Sequence, residues 1–424
     1  MRQIIISLTA MFASLALLIA GSSLLGTLLS VQLAETGFSP MAIGLVLVFH
    51  SVGFVLGTRV ATRLIRRVGQ IRSFAAFAAI GCAAALIHPL YVSGWLWALL
   101  RLFVGFCHAG LIMVLESWIS GRASAATRGA LLGIYQIVFF SAAAGGQYLV
   151  GFTPDEVYPM FSFVAILMVL SLVPLALTRS EAPVMGSVDR LGFVELWQLS
   201  PSGWLGAVVA GLLSSAFLTL GPLYASAIGM DVAGVARYMM FAVVATMLLQ
   251  WPLGHLSDLM DRRFVLGFLA AAAGIAAVAG MLFGQDYGWA LYTTTAIVFG
   301  VAGCLYPISL AMITDNMTEG NPVAASAGLL FTFGLGTCLG PLLGAGLMEV
   351  LGPAGLFAFL AAGLLLLAGF VVVRMRYTPA LPMAQQGRFV NVVASQTAPP
   401  ILELDPRTDD FRDNSETAGT YQGP

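Results

Sequence analysis

Runs of about twenty apolar residues recur twelve times along this chain of 424 residues, separated by short polar or Gly/Pro-containing stretches. A helix of roughly 20 apolar residues crosses the hydrocarbon core of a bilayer, which is about 30 Å thick. The runs cover residues 4–33, 40–58, 73–93, 95–119, 128–152, 157–178, 203–229, 234–256, 264–284, 288–313, 323–348 and 354–373. We therefore predict an all-α membrane protein with twelve transmembrane helices, here called spans one to twelve.

The composition excludes a water-soluble globular protein. Charged residues make up 9% of the chain and hydrophobic residues 59%, with a mean hydropathy of +0.93, whereas a soluble domain carries about 25% charged residues. The formal net charge is -1, which gives no basis for binding nucleic acid. This composition therefore predicts that the protein lies in a lipid bilayer.

The distribution of arginine predicts the orientation. With the N-terminus in the cytoplasm, 17 of the 19 basic residues fall in the tail or near cytoplasmic ends of the spans, and only Arg101 and Arg237 do not. Positive residues accumulate on the cytoplasmic side of membrane proteins. The chain is therefore predicted to lie in the cytoplasmic (inner) membrane with both termini in the cytoplasm.

The longest loop between spans divides them six and six. We predict an N-terminal six-helix bundle (1–178), a cytoplasmic linker (179–202), a C-terminal six-helix bundle (203–374) and a disordered cytoplasmic tail (375–424). Spans three, six, nine and twelve are nearly free of polar residues. Polar side chains in the other eight spans need shelter from lipid, which predicts a central cavity between two pseudo-repeats.

Span four contains the side chains whose burial in a membrane costs the most free energy. Arg101, His108 and Glu116 all lie within it, and an intramembrane charge normally faces the interior with a partner. The three could relay a proton or bind an anionic group. Alternatively, Arg101 reaches the headgroups, His108 is a neutral packed imidazole and Glu116 is an interfacial carboxylate beside Arg122.

Other polar residues are candidates for contacts with a solute. Pro307 within span ten interrupts the helical hydrogen bonds next to Tyr306 and Ser309. The predicted cavity residues are Gln136, Ser215, Tyr306 and Ser309.

Span eight ends in Gly254-His-Leu-Ser-Asp258, followed by Arg262 and Arg263. This stretch resembles the loop signature of the major facilitator superfamily, Gly-x-Leu-Ser-Asp with a basic pair. The resemblance implies that Gly254 permits close helix approach and that Asp258, Arg262 and Arg263 form a charged latch at the inner side.

Four further stretches extend the resemblance over about 370 residues. Arg101 followed four residues later by Gly105 is similar to the span-four motif of the superfamily, which is associated with proton coupling. Glu116-Ser-Trp, Thr127-Arg-Gly and Tyr306-Pro-Ile-Ser resemble the YcaD-like branch of inner-membrane transporters within this superfamily. The resemblance implies alternating access around a central site without naming a substrate.

The primary hypothesis is secondary active transport of a small solute by a monomer, with proton coupling. The alternative is a non-transporting membrane sensor or assembly factor on the same fold. The four histidines and four cysteines show no spacing of metal ligands or of catalytic residues, so we predict no enzyme activity, no metal and no cofactor.

Overall fold

The computed structural model describes residues 2–124, 126–153, 157–178, 190–317 and 322–377, together with residues 382, 386, 387, 389, 390, 392, 400, 404 and 405. The helices are α1 (Arg2–Glu35), α2 (Pro40–Val68), α3 (Gln70–Ile87), α4 (Gly94–Ser120), α5 (Arg128–Leu149), α6 (Tyr158–Leu170), α7 (Leu172–Ala176), α8 (Phe193–Leu199), α9 (Pro201–Ala227), α10 (Val232–Leu259), α11 (Arg262–Phe283), α12 (Gly288–Asp315), α13 (Pro322–Leu351) and α14 (Ala354–Tyr377).

Twelve spans formed by these described helices are long and apolar enough to cross a bilayer, with α6 and α7 forming the sixth span. The predicted all-α class and helix number are confirmed. The second span is ten residues longer than its apolar run, because arginine is a good helix former and continues α2 beyond the hydrocarbon core. Gly69, with φ of 99°, then ends the helix in a conformation that disfavours other residues.

The two halves use the same helix pairings. In the first half α1 packs on α5, α2 on α4 and α3 on α6; in the second half α9 packs on α13, α10 on α12 and α11 on α14. Glycines bring these helices close together: Gly146 of α5 lies against the Ala20 carbonyl of α1, and Gly340 of α13 lies against the Leu212 carbonyl of α9. Small residues at crossings are how helices pack closely in membranes, so the matching pairs indicate a structural repeat.

The connection between the halves is partly described. Residues 179–189 of the predicted linker lie outside the described residues. Leu191 donates its backbone N–H to the Ala324 carbonyl of α13 (3.1 Å), and Leu196 of α8 is fully buried. The linker therefore packs against the second half before α9 begins at Pro201, but the domain boundaries remain a prediction.

Several contacts join the two halves at one face of the molecule. We call the face where α1 begins and α14 ends the terminal face, and the other the opposite face. At the opposite face, the Met41 backbone N–H donates to the Glu349 carboxylate of α13 (3.2 Å), and Gly44 packs against the same helix. Ser30 of α1 donates to the Thr219 carbonyl of α9 (2.9 Å). These contacts hold the two halves together at the opposite face.

Candidate transport site

A cavity of about 200 Å³ lies between the halves. Its walls come from α1, α2, α4 and α5 of the first half and from α9, α10, α12 and α13 of the second. Among the described residues, none of α3, α6, α7, α11 or α14 lines it. These eight helices are the ones that the sequence marks as polar, so the predicted central cavity is confirmed. Towards the terminal face, the wall extends to Thr58, Arg190 and Ala327.

The first half supplies the charged wall of this cavity. Arg101 of α4 is 7% exposed, and its Nε–H has no hydrogen-bond acceptor among the described residues. His50 of α2 also lines the cavity, and its ring centroid lies 5.6 Å from that of His108. His108 is buried and shares a 3.0 Å hydrogen bond with the Ser22 hydroxyl. Arg101 is within electrostatic range of both imidazoles.

Glycine at the α2–α4 crossing positions this cluster. Gly105, one turn after Arg101, lies against the His50 carbonyl so closely that a Cβ at position 105 would collide with it. Gly53 meets the Leu102 carbonyl in the same way. The two helix backbones are therefore in contact where the arginine and histidines meet.

Glu116 does not belong to the cluster. It lies eight residues beyond His108 on α4, about 12 Å along the helix axis. The side chain is fully buried and accepts a 2.7 Å hydrogen bond from the Tyr135 hydroxyl of α5. The structure therefore places Arg101 on the cavity wall with His108 within electrostatic range, whereas neither His108 nor Glu116 lines the cavity.

Two of the four predicted solute contacts line the cavity, namely Ser215 and Tyr306. Ser215 donates to the Gly211 carbonyl of its own helix (2.8 Å). The sequence could identify Tyr306 because a tyrosine hydroxyl within an apolar run requires a sheltered polar partner.

In correction of the prediction, Gln136 and Ser309 are buried but do not line the cavity. Ser309 instead lies where α12 crosses α9, with its side chain against Gly206. A serine is small enough to pack within a helix crossing, so its presence in a span does not identify a cavity wall.

Apart from Arg190, the remaining wall is neutral. Thr27 donates to the Gln147 side chain, and Gln250 donates to the Gly303 carbonyl (2.9 Å). The other hydroxyl side chains on the wall are Ser22, Ser23, Ser51, Thr58, Ser214, Thr219, Thr246 and Thr337. Its aromatic rings are Phe54, Phe139, Phe140, Phe299, Tyr306, Phe331 and Phe333. No aspartate or glutamate is found among the described lining residues.

Two arginines stand at the terminal end of the cavity. The guanidinium carbons of Arg59 and Arg190 lie 4.0 Å and 5.5 Å from the ring centroid of Phe331. Burial, and then the neighbouring Arg59, lower the pKa of Arg190. This end of the cavity is therefore rich in positive charge.

The predicted inner latch is an ion-pair cluster within the second half. Arg262 is 2% exposed and pairs with Asp258 (3.1 Å) and with Asp315 at the end of α12 (2.8 Å). Arg263 pairs instead with Asp261 (3.0 Å). Among the described residues, no ion pair of this cluster reaches the first half, so it ties the α10–α11 turn to α12.

Described residues of the C-terminal tail cover the same cluster. Phe389 donates its backbone N–H to Asp258 (2.8 Å), and its ring packs against Gly254. Gly387 donates its N–H to Asp315 (3.0 Å) and accepts a hydrogen bond from Arg262. Most of the tail predicted to be disordered lies outside the described residues, and that prediction stays a prediction there.

The family follows from sequence comparison. The sequence profile of the Major Facilitator Superfamily matches residues 11–300 and 204–400. The chain belongs to this superfamily. An MFS-type transporter of Enterobacter sp. (strain 638) is 27% identical over 361 residues, covering 83% of this chain and 91% of the relative. YcaD of Escherichia coli O6:K15:H31 (strain 536 / UPEC) is 28% identical over 358 residues with the same coverage. Both relatives are described as uncharacterized MFS-type transporters, and the predicted likeness to YcaD is confirmed.

Solved structures show the same fold. A mutant form of the nucleoside transporter NupG superposes with a TM-score of 0.71 at 13% identity, covering 87% of this chain and 99% of NupG. A bacterial homologue of the human lysosomal transporter Spinster, in an inward-facing and occupied conformation, has a TM-score of 0.71 at 16% identity, covering 90% and 97%. The MFS fold and the family together identify a multi-pass membrane transport protein.

Sequence reasoning does not find two residues of the site. The spacing of His50 from the other histidines has no pattern, but His50 shares a helical face with Gly53 and Gly57, the small residues that pack against α4. Asp315 closes α12 and belongs to no recognisable motif. Within the described residues, no group of three or more histidine, cysteine, aspartate or glutamate side chains could hold a metal ion.

Proposed function

We propose that this MFS protein is a secondary transporter that moves a small solute across the cytoplasmic membrane by alternating access, coupled to protons. The observation that supports this most directly is the central cavity, to which each half contributes four helices. A rocking motion of the halves would part the contacts between α2 and α13 and open the cavity at the opposite face.

The terminal face is assigned to the cytoplasm. Of the 19 arginines, 17 fall on that side when the N-terminus is cytoplasmic, in agreement with the positive-inside rule. On this assignment the halves are in contact at the external face in the present conformation. A single chain supplies both halves of the cavity, so the functional unit is a monomer.

Proton coupling is assigned to the cluster of Arg101, His50 and His108. Imidazole is the side chain that changes charge most readily near neutral pH, and these two rings lie beside a permanent cation on the cavity wall. Loading and release of a solute at this wall would alter the proton affinity of the histidines. Glu116 with Tyr135 is a second protonatable pair in the same half.

The ion-pair cluster at the terminal face is proposed to stabilise one conformation. Arg262 holds Asp258 and Asp315 together, and Arg263 with Asp261 caps the start of α11. Because the cluster is confined to the second half, it would act by fixing the ends of α10 and α12 relative to each other.

The test is the uptake of a solute panel into proteoliposomes with an imposed pH gradient. We expect a solute flux that depends on the gradient and is lost in Arg101→Ala and reduced in His108→Ala. Arg237→Ala, an exposed arginine on α10 away from the cavity, is the matched control. Flux indifferent to the gradient and to Arg101→Ala would remove the proton coupling.

The contacts of Gly387 and Phe389 with the terminal-face cluster favour a second candidate, a membrane sensor that signals through its tail. Deleting residues 380–424 separates the two. A transporter keeps its solute flux without the tail, whereas a sensor shows no such flux with or without it and loses its biological role on deletion.

A further inference from the structure

The charge of the cavity wall restricts what can occupy it. The described lining residues include Arg101, Arg190 and His50 but no carboxylate. Electrostatic interactions are strong in a site sheltered from water. A cationic solute in the cavity would be repelled by these positive side chains, because no carboxylate among the described lining residues compensates them. An anionic solute would neutralise their charge.

Arg101 is the group that most needs a partner. Its guanidinium is more than nine-tenths buried, yet its Nε–H finds no acceptor and its charge finds no carboxylate among the described residues. Glu116, the only acidic residue of α4, instead accepts the Tyr135 hydroxyl. An uncompensated buried charge is costly, so the site is incomplete without an anion.

The neighbouring histidines point to the same conclusion. The Nδ1 atom of His50 and the Nε2 atom of His108 are buried and have no hydrogen-bond partner among the described residues. Together with Arg101 they place three unsatisfied nitrogens in one part of the first half. A carboxylate offers two oxygens with about four lone-pair sites and can satisfy an arginine and an imidazole together.

The rest of the wall fits an apolar body. Phe54, Phe139 and Phe140 come from the first half, and Phe299 and Phe333 from the second. Hydroxyl and amide groups between them are neutral. The volume of about 200 Å³ is many times the roughly 10–15 Å³ that a single water needs, which is room for an aromatic acid rather than for an inorganic ion alone.

We propose that the cavity binds an organic monoanion with an aromatic or apolar body, its carboxylate held by Arg101 and His50 and its body packed among the phenylalanines. The inference rests on the proposed function and names the substrate class. Arg59 and Arg190 beside Phe331 would attract such an anion from the terminal face.

The test measures dissociation constants in lipid nanodiscs at pH 7 for four probes: 2-naphthoate, 2-naphthamide, 2-naphthylmethylamine and acetate. We expect naphthoate to bind at least about tenfold more tightly than the other three, as follows from a buried hydrogen bond to a charged group. Arg101→Gln should weaken naphthoate binding by at least about tenfold, Arg101→Lys should recover part of it, and the exposed-site control Arg237→Gln should bind like the parent.

Thermal midpoints identify variants that fail to fold. His50→Gln is a second variant that tests the anion site, and we expect it to lose less naphthoate affinity than Arg101→Gln. Equal or tighter binding of the amine, no binding of any probe, or an unchanged naphthoate affinity in folded Arg101→Gln would overturn the proposal. Uptake of another class of solute would then leave the proposed function standing. Tight naphthoate binding without uptake of any solute into proteoliposomes would contradict transport and leave the binding site.

Discussion

At the scale of single residues, burial in a membrane helix has two different outcomes in this protein. Arg101 lines the cavity because a charged side chain within a span is costly to expose to lipid and faces the interior of the bundle or a water-filled cavity. Ser309 is buried at a helix crossing instead, because a small hydroxyl can be accommodated there. The sequence alone predicts that a large charged side chain within a span avoids lipid. It cannot tell whether a serine lines the cavity wall or packs at a helix crossing.

The pair of Glu116 and Tyr135 gives a prediction at this scale. Tyr135→Phe removes a donor from a fully buried carboxylate and should lower stability by about 1–3 kcal/mol. The measurement is the thermal midpoint in detergent. Tyr148→Phe, at an exposed position of the same helix, should leave the midpoint unchanged, and equal midpoints for both variants would contradict the assigned bond.

Asp315 gives a second prediction. Asp315→Asn weakens the pairing of buried Arg262 while Asp258 remains, so we expect a loss of about 1.5–3 kcal/mol, the range for hydrogen bonds to charged groups. Asp286→Asn, in an exposed turn, is the control. The thermal midpoint again reports the result, and a shift no larger than that of the control would show that the ion pair contributes nothing.

At the scale of helices, the apolar runs predict where each helix lies but not which helices touch. The predicted end of α2 lies ten residues before the end of the helix in the structure. Arginines lie outside the hydrocarbon core, but they continue a helix readily. The approach of His50 to Arg101 and His108 depends on the crossing of α2 and α4, which brings together residues about fifty positions apart. Single glycines decide that crossing, and nothing in one sequence says which partner a glycine faces.

The crossing can be tested directly. Gly105→Ala would place a Cβ against the His50 carbonyl, and we expect overpacking to cost about 1–3 kcal/mol or more. Gly133→Ala, at a helical position with no neighbour near its added Cβ, should instead gain up to about 1 kcal/mol of helix propensity. Midpoints that shift in opposite directions confirm the contact; equal shifts contradict it.

At the scale of the whole molecule, the two halves have the same architecture but different chemistry. Arg101 and His50 on the cavity wall belong to the first half, whereas four prolines interrupt the cavity helices of the second half: Pro222, Pro252, Pro307 and Pro341. A proline inside a helix removes a backbone hydrogen bond and favours bending. The repeat and the eight polar helices were predictable from composition, but this asymmetry becomes meaningful only once the cavity is seen.

Alternating access gives a prediction at this scale. In a variant without native cysteines, Met41→Cys and Glu349→Cys should be joined by a short bis-thiosulfonate reagent, because the Met41 N–H and the Glu349 carboxylate are 3.2 Å apart. Joined halves cannot rock apart at the opposite face, so solute flux into proteoliposomes should disappear and return on reduction. Each single-cysteine variant is the control, and full flux in the cross-linked protein would exclude this motion.

The close approach of α2 and α4 has a consequence for how selectivity could diversify. Since backbone meets backbone at Gly53 and Gly105, the spacing between His50 and Arg101 is set by the helices themselves and leaves little freedom for side-chain adjustment. Chimaeras that exchange α9, α10, α12 and α13 for those of a relative should therefore alter the shape of cargo accepted while leaving the electrostatic requirement intact. The first half would then determine the charge of the solute, and the second half could change the shape of the solute independently.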